Sequence, residues 1–118
     1  MVLYGTPLYG HNCSGLLKTF LDRHTPLFKF FGGKEKAVNE MGILSAIENK
    51  PVGLIVSCQG PEEYNTEIIK MLFDKFCESS LARCMGKYIF PLCNPEADQS
   101  VYDEKVMQRL LADIRQAV

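Results

Sequence analysis

Pro51-Val52-Gly53-Leu54-Ile55-Val56-Ser57-Cys58 is apolar almost from end to end. It does not alternate between apolar and polar positions, as a strand with one wet face does. A run of this length and composition fits a strand buried on both faces, the pattern of a parallel sheet covered by helices. Gln59-Gly60-Pro61 supplies the turn that follows. Ile69, Leu72, Phe73 and Phe76 then recur at helical spacing to about Ser79. Glu62 and Glu63 are placed to enrich the first turn of that helix, where carboxylates suit its dipole.

The same plan recurs on either side. Val2 to Gly5 is a short apolar run of strand formers, and Gly5-Thr6-Pro7 is expected to end it, because proline cannot donate to a ladder. Asn12 or Ser14 can cap a helix running to about Arg23. Leu17, Phe20 and Leu21, with Leu16 beside them, form its apolar stripe; Lys18, Asp22 and Arg23 lie on the other face, and Pro26 stops it. Near the other end, Lys87 to Leu92 reads as a strand and Cys93-Asn94-Pro95 as its turn. Ser100 with Asp103 is similar to a capping box, and Val106, Leu110, Leu111 and Ile114 mark the inward stripe of a last helix. Residues 25–50 are less regular. Phe28, Phe30 and Phe31 precede Gly32-Gly33 and a charged Lys34-Glu35-Lys36, and Met41 to Ile47 is expected to form a short helix. This stretch reads as an excursion or lid over one end of the sheet. Strands joined by helices of this length must run parallel, with right-handed crossovers. The expected fold is therefore α/β: a small three-layer sandwich in one domain spanning residues 1–118.

Composition narrows the function classes. The chain has 118 residues, 47% of them hydrophobic and 23% charged, with a net charge of −1 and no aromatic-basic stripe, which argues against a nucleic-acid partner. No apolar run is long enough to span a membrane, and no signal peptide is visible. The five cysteines, at 13, 58, 77, 84 and 93, include no C-x-x-C pair. A zinc site or disulfide framework is not expected; a reducing cytoplasm is, with most thiols acting as small core hydrophobes.

In an open parallel sheet, ligands bind outside the carboxyl ends of the strands. Three loops qualify: Thr6 to Ser14, Ser57 to Tyr64 and Leu92 to Ser100. Their Gly, Pro, Asn and small polar residues let backbone N–H and C=O groups approach a flat polar ligand, and Tyr9 and Tyr64 could add aromatic faces. A planar, hydrogen-bonding heterocycle suits such a rim.

The first loop also carries a resemblance. Thr6, Pro7, Tyr9, Gly15, Leu17, Lys18, Phe20, Leu21, Asp22 and Arg23 stand in the pattern of the third βα unit of the flavodoxin-like NAD(P)H-dependent FMN reductases. Residues 50–60 resemble that family's fourth strand and the loop after it, and Lys87 onward resembles its fifth strand and terminal helix. The resemblance implies a partial flavodoxin-like fold and flavoprotein oxidoreductase activity. FMN would be held on its ring side by Thr6, Pro7, Leu8, Tyr9, Gly10, Asn12, Ser57, Cys58, Gln59 and Gly60. NAD(P)H would be the hydride donor, and a small electron acceptor would take the electrons. No catalytic side chain or metal is implied, because the flavin carries the redox chemistry.

The family's first strand, phosphate-binding loop, first helix and second strand have no counterpart in these residues. The strand at Val2 to Gly5 corresponds to a central strand of the family and is expected to present a bare edge, covered by a second copy in a homodimer, by a partner chain, or by the rest of a longer gene product. The bland readings stand alongside. Pro7 and Tyr9 can be a turn and a half-buried aromatic. Lys18, Asp22 and Arg23 suit a solvated helix face, His11 an exposed loop, and His24 a helix C-terminus. Cys58 can be inert packing, Cys77, Cys84 and Cys93 look structural, and Phe28, Phe30 and Phe31 can cover a flavin or an interface. The alternative function is a degenerate, non-catalytic flavodoxin-like module for oligomerisation or partner binding.

Overall fold

The computed structural model describes residues 1–24, 29–30, 43–94 and 100–117. Along the chain lie β1 (Val2–Pro7), α1 (Gly15–Asp22), β2 (Lys29–Phe30), β3 (Ile43–Leu44), β4 (Pro51–Ser57), α2 (Glu67–Ser80), β5 (Arg83–Phe90) and α3 (Ser100–Ala117). β1, β4 and β5 form one parallel sheet in that order, with β4 in the middle. The fold is α/β, as the apolar run of β4 implies, and corresponds to part of a flavodoxin-like sandwich. β2 and β3 pair antiparallel as a separate short ribbon.

Alternation along β4 sorts its side chains between two faces. Val52, Leu54 and Val56 join Tyr4 of β1 and Ile89 of β5 in the main core, under Leu17 and Leu21 of α1 and Ile69, Phe73 and Phe76 of α2. Tyr4 is the hub of an aromatic cluster, with Phe20, Phe73, Phe76 and the His24 ring all within 6.2 Å of its ring centre. His24 is buried there, its Nδ1 lying 3.0 Å from the Phe20 carbonyl oxygen, so it is part of the core and not a surface charge.

The opposite face belongs to α3. Tyr88 of β5 is 0% exposed beneath it and donates its hydroxyl to Asp113 at 2.8 Å, while the Arg109 guanidinium stands 5.2 Å from the ring centre. Two glycines make room for the ring. A Cβ at Gly86 would lie 2.6 Å from the Tyr88 oxygen, and one at Gly53 would lie 3.3 Å from a ring carbon. Between their partners the register slips: Val52 pairs with Cys84 but Gly53 with Gly86, so Met85 is the extra residue of a β-bulge. α3 packs chiefly on β5. The matching face of β1 is open, with Leu3 36% exposed and Gly5 and Pro7 exposed beside it.

Several boundaries differ from the sequence reading, each for a local reason. β1 does not stop before Pro7. Leu8 N–H donates to the Ser57 carbonyl, so the even residues of β1 face β4 and the odd ones, Leu3, Gly5 and Pro7, turn their backbone outward. The N–H that proline lacks is one the sheet never uses. Ser14, not Asn12, caps α1, its hydroxyl accepting the Leu17 N–H at 3.3 Å. α2 begins at Glu67, so Glu62 and Glu63 lie in the turn before it. That turn is held by the Thr66 hydroxyl and Asn65 N–H on the Glu62 carbonyl, and by Asn65 Nδ2 on the Pro61 carbonyl. β5 starts at Arg83 and ends at Phe90, ahead of Leu92. In α1, Leu16 and Phe20 are 84% and 53% exposed, and in α3 Leu111 is exposed while Leu110 is buried. In place of the expected helix at Met41 to Ile47, Ile43–Leu44 is a strand and residues 46–49 form a turn. Phe28, Phe31 and residues 95–99 lie outside the described residues, as does the side chain of Phe30.

Candidate functional site

The three loops after β1, β4 and β5 meet at the carboxyl end of the sheet and are tied to one another by backbone. Leu8 N–H reaches the Ser57 carbonyl at 2.8 Å, Cys93 N–H the Cys58 carbonyl at 2.9 Å, and Leu92 N–H the Gly60 carbonyl at 3.1 Å. The rim is thus one continuous structure.

Its first part is a tight hairpin. Tyr9 and Asn12 exchange both backbone hydrogen bonds, at 2.9 and 3.0 Å, across Gly10 and His11. These two central residues have φ of 52° and 65°, the double positive φ of a type I′ turn. Glycine adopts it freely, and histidine is among the side chains that tolerate it. The hairpin is anchored below by Thr6, which is buried; its hydroxyl donates to the Pro7 carbonyl and accepts the Ser14 N–H. Asn12 uses its Oδ1 to accept the Cys13 N–H. Tyr9 stands 66% exposed at the mouth of the turn.

The second part runs from Ser57 to Thr66. Cys58 is buried, and its thiol donates to the Gly60 carbonyl. Burial, with the Cys93 and Glu62 charges behind it, pushes that thiol up, so it stays protonated and is not poised as a nucleophile. Tyr64 has a positive φ of 63° and is 89% exposed. Its N–H donates to the Glu67 carboxylate at 2.8 Å. The Glu67 carboxyl is held below its ordinary value first by its own backbone N–H and then by that of Tyr64, with Lys70 adding positive charge.

The ten residues expected at a flavin ring fall into two groups. The polar groups of Thr6 and Cys58 and the backbone donors of Leu8, Tyr9, Asn12 and Cys58 are engaged within the protein. Of the ten, Gly10, Gln59 and Gly60 have N–H groups with no hydrogen-bond partner among the described residues, and so does His11, which is not among the ten. These four donors sit on the turns above two adjacent parallel strands. Unbonded donors of this kind are what a planar heterocycle with carbonyl and ring-nitrogen acceptors would need.

A feature absent from the sequence reading lies on the other side of the second loop. Pro61, Glu62, Glu63, Glu67, Lys70, Pro91 and Leu92 line an open cleft of about 520 Å³. It separates the second loop from the third, and none of the ten expected residues lines it. Lys70 crosses it to Glu62 at 2.5 Å, partly offsetting the carboxylates. Glu62 and Glu63 read as dipole partners only while α2 is taken to start with them; a start at Glu67 makes them walls of the cleft. No group of His, Cys, Asp and Glu side chains among the described residues is arranged to hold a metal ion. No helix among them is long and apolar enough to cross a membrane. No protein-family model matches the chain, and no curated protein is significantly similar to it.

Proposed function

We propose that this chain is the ring-side part of an FMN-dependent NAD(P)H oxidoreductase, completed along β1 by a second copy or a partner chain. The reading rests on the four unbonded N–H groups of Gly10, His11, Gln59 and Gly60, gathered at the carboxyl ends of β1 and β4. They would bind and orient the polar edge of the ring, with Thr6, Pro7, Leu8, Asn12, Ser57 and Cys58 holding the two turns in place and Tyr9 at the exposed mouth. Bound there, FMN supplies the redox chemistry, taking a hydride from NAD(P)H and passing electrons to a quinone, nitro compound or similar acceptor. The phosphate would be held by the unit that completes the sheet. Five free cysteines suit a reducing cytoplasm.

Visible absorbance of the purified protein tests this directly. Titrated FMN should bind at micromolar strength and keep an absorbance band near ~450 nm on the protein. A colourless protein that leaves the FMN spectrum unchanged, alone and after addition of any co-purifying partner, would sink the flavin reading.

A second reading, a non-catalytic module for oligomerisation or partner binding, is favoured by the exposed Leu16 and Phe20 of α1 and by the position of β1 at the end of the sheet. Such apolar side chains, one turn apart on α1, suit an interface. A clean monomer in sedimentation at high concentration would count against self-association there.

A further inference from the structure

Two cysteines meet where α2 hands the chain to β5. Cys77 lies in the last turn of α2 and is buried. Its carbonyl accepts the Ala82 N–H at 3.0 Å, and Leu81 turns the chain back in the left-handed conformation. β5 then places Cys84 opposite Val52. Plain alternation would put Cys84 on the same face as Gly86 and Tyr88, under α3. The bulge at Met85 cancels that parity. Cys84 pairs with Val52, whose side chain lies in the core below α2, while Gly86 pairs with Gly53 on the other face. Cys84 is thereby brought to the face of the sheet that α2 covers, where Val52 and Cys77 share one core, and burial with Cys84 beside it pushes the Cys77 thiol up to about 12. One of the pair is exposed and the other buried.

We propose that Cys77 and Cys84 form a reversible intrachain disulfide, a thiol switch at the junction of α2 and β5 that is closed by peroxide. This assignment is independent of the flavin reading. Cys84 is the accessible sulfur and reacts first. Its thiolate attacks a peroxide oxygen, the O–O bond breaks, and the departing hydroxide takes up the thiol proton as water, leaving a sulfenic acid. Cys77 is protonated at rest and becomes a nucleophile only as the hydroxyl departing from Cys84 takes its proton; its sulfur then attacks the Cys84 sulfur. The S–O bond breaks, and the hydroxyl leaves as a second water with the Cys77 proton. In sum, two thiols lose two electrons and two protons, and one hydrogen peroxide becomes two waters. A dithiol reductant reverses the bond by exchange. Oxidised, the staple fixes the end of α2 to the start of β5.

Peptide mapping without reduction tests the proposal on the intact chain. Trypsin cuts after Lys75, Arg83 and Lys87, which puts Cys77 in Phe76–Arg83 and Cys84 in Cys84–Lys87. After stoichiometric hydrogen peroxide and thiol blocking, these two peptides should appear linked, and dithiothreitol should separate them. Cys84→Ser should abolish the linked pair while leaving the circular-dichroism spectrum unchanged. Oxidation of the chain in strong denaturant should lose the preference, because the pairing depends on the bulge. The proposal is overturned if Cys84 is recovered only as sulfinic acid or as an intermolecular dimer while Cys77 remains free. It is equally overturned if the denatured chain forms the same link as readily.

Discussion

β5 and β1 flank the same central strand, and each carries one tyrosine into a core, yet they live in different surroundings. Tyr88 of β5 is closed over by α3, hydrogen-bonded to Asp113 and seated on Gly86. Ile89, its neighbour, is buried on the other face by the α2 core. β1 is covered on one face only. Tyr4 is enclosed by Phe73 and Phe76, while Leu3 on the opposite face lies over an uncovered surface, and Leu16 and Phe20 of α1 are exposed. In sequence Val2-Leu3-Tyr4 and Tyr88-Ile89-Phe90 look alike. The comparison teaches that an apolar strand specifies a buried place in a sheet, while the helices available on each side decide whether that place is filled.

The sharpest way to break the comparison is to truncate on both sides. Tyr88→Ala should destabilise the protein by about 3–5 kcal/mol in urea unfolding, as loss of a fully buried aromatic does. Leu16→Ala should change stability by less than about 0.5 kcal/mol, the range for an exposed position. A Leu16→Ala effect that approaches the Tyr88→Ala effect, or one that grows with protein concentration, would mean that the β1 side is covered after all.

A smaller contrast sits at the two glycines. Gly86→Ala should cost about 1–3 kcal/mol, because the new methyl meets the Tyr88 phenol, which Asp113 and α3 hold in place. Gly53→Ala should cost less than Gly86→Ala, since its closest contact, at 2.8 Å, is the flexible end of Leu3 over the open face and the Tyr88 ring stands farther off, at 3.3 Å. Equal costs would show that Leu3 is as confined as Tyr88.

The smallest expected effect is read in pH. Burial, reinforced by the Asp113 carboxylate, raises the Tyr88 phenol above its ordinary value. The folded state therefore holds that proton more tightly than the unfolded one. The resulting stability is fully present below the unfolded pKa of about 10 and is lost as pH rises from there toward the folded value. Tyr88→Phe should lose about 1 kcal/mol at neutral pH with the hydrogen bond to Asp113, and its unfolding midpoint should fall less steeply above about pH 10 than that of the wild type. A parallel fall in both proteins would exclude Tyr88 as the source.

Much of the fold was legible because β4 runs through buried and half-buried apolar residues from Val52 to Val56, with its one polar position, Ser57, at the end. The helices were legible from their stripes, but the stripe names more residues than the sheet can cover. Leu16, Phe20 and Leu111 follow the helical period as well as Leu17, Leu21 and Leu110 do, and only the missing neighbour makes them surface. The start of α2 was misplaced because Glu62 and Glu63 are good first-turn residues, whereas the positive φ of Tyr64 and the hydrogen bonds of Thr66 and Asn65 delay the helix. The site loops were legible as loops. Which N–H groups remain free in them was not, since that depends on bonds such as Leu8 to Ser57 and Leu92 to Gly60 that join distant parts of the chain. The facing of Cys84 turns on a single bulge and has no sequence signature.

Pro7 places a limit on anything that docks along β1. The outward-facing residues of that strand are Leu3, Gly5 and Pro7, and only the first two carry an N–H. A visiting strand can be zipped on through Leu3 and Gly5 and then finds no further donor, so the seam stops short of the loop rim. A chain that paired there would gain most of its hold from the layers above and below the strand, against Leu16 and Phe20 on one side and Leu3 on the other. The Tyr9 hairpin would lie outside such a joint.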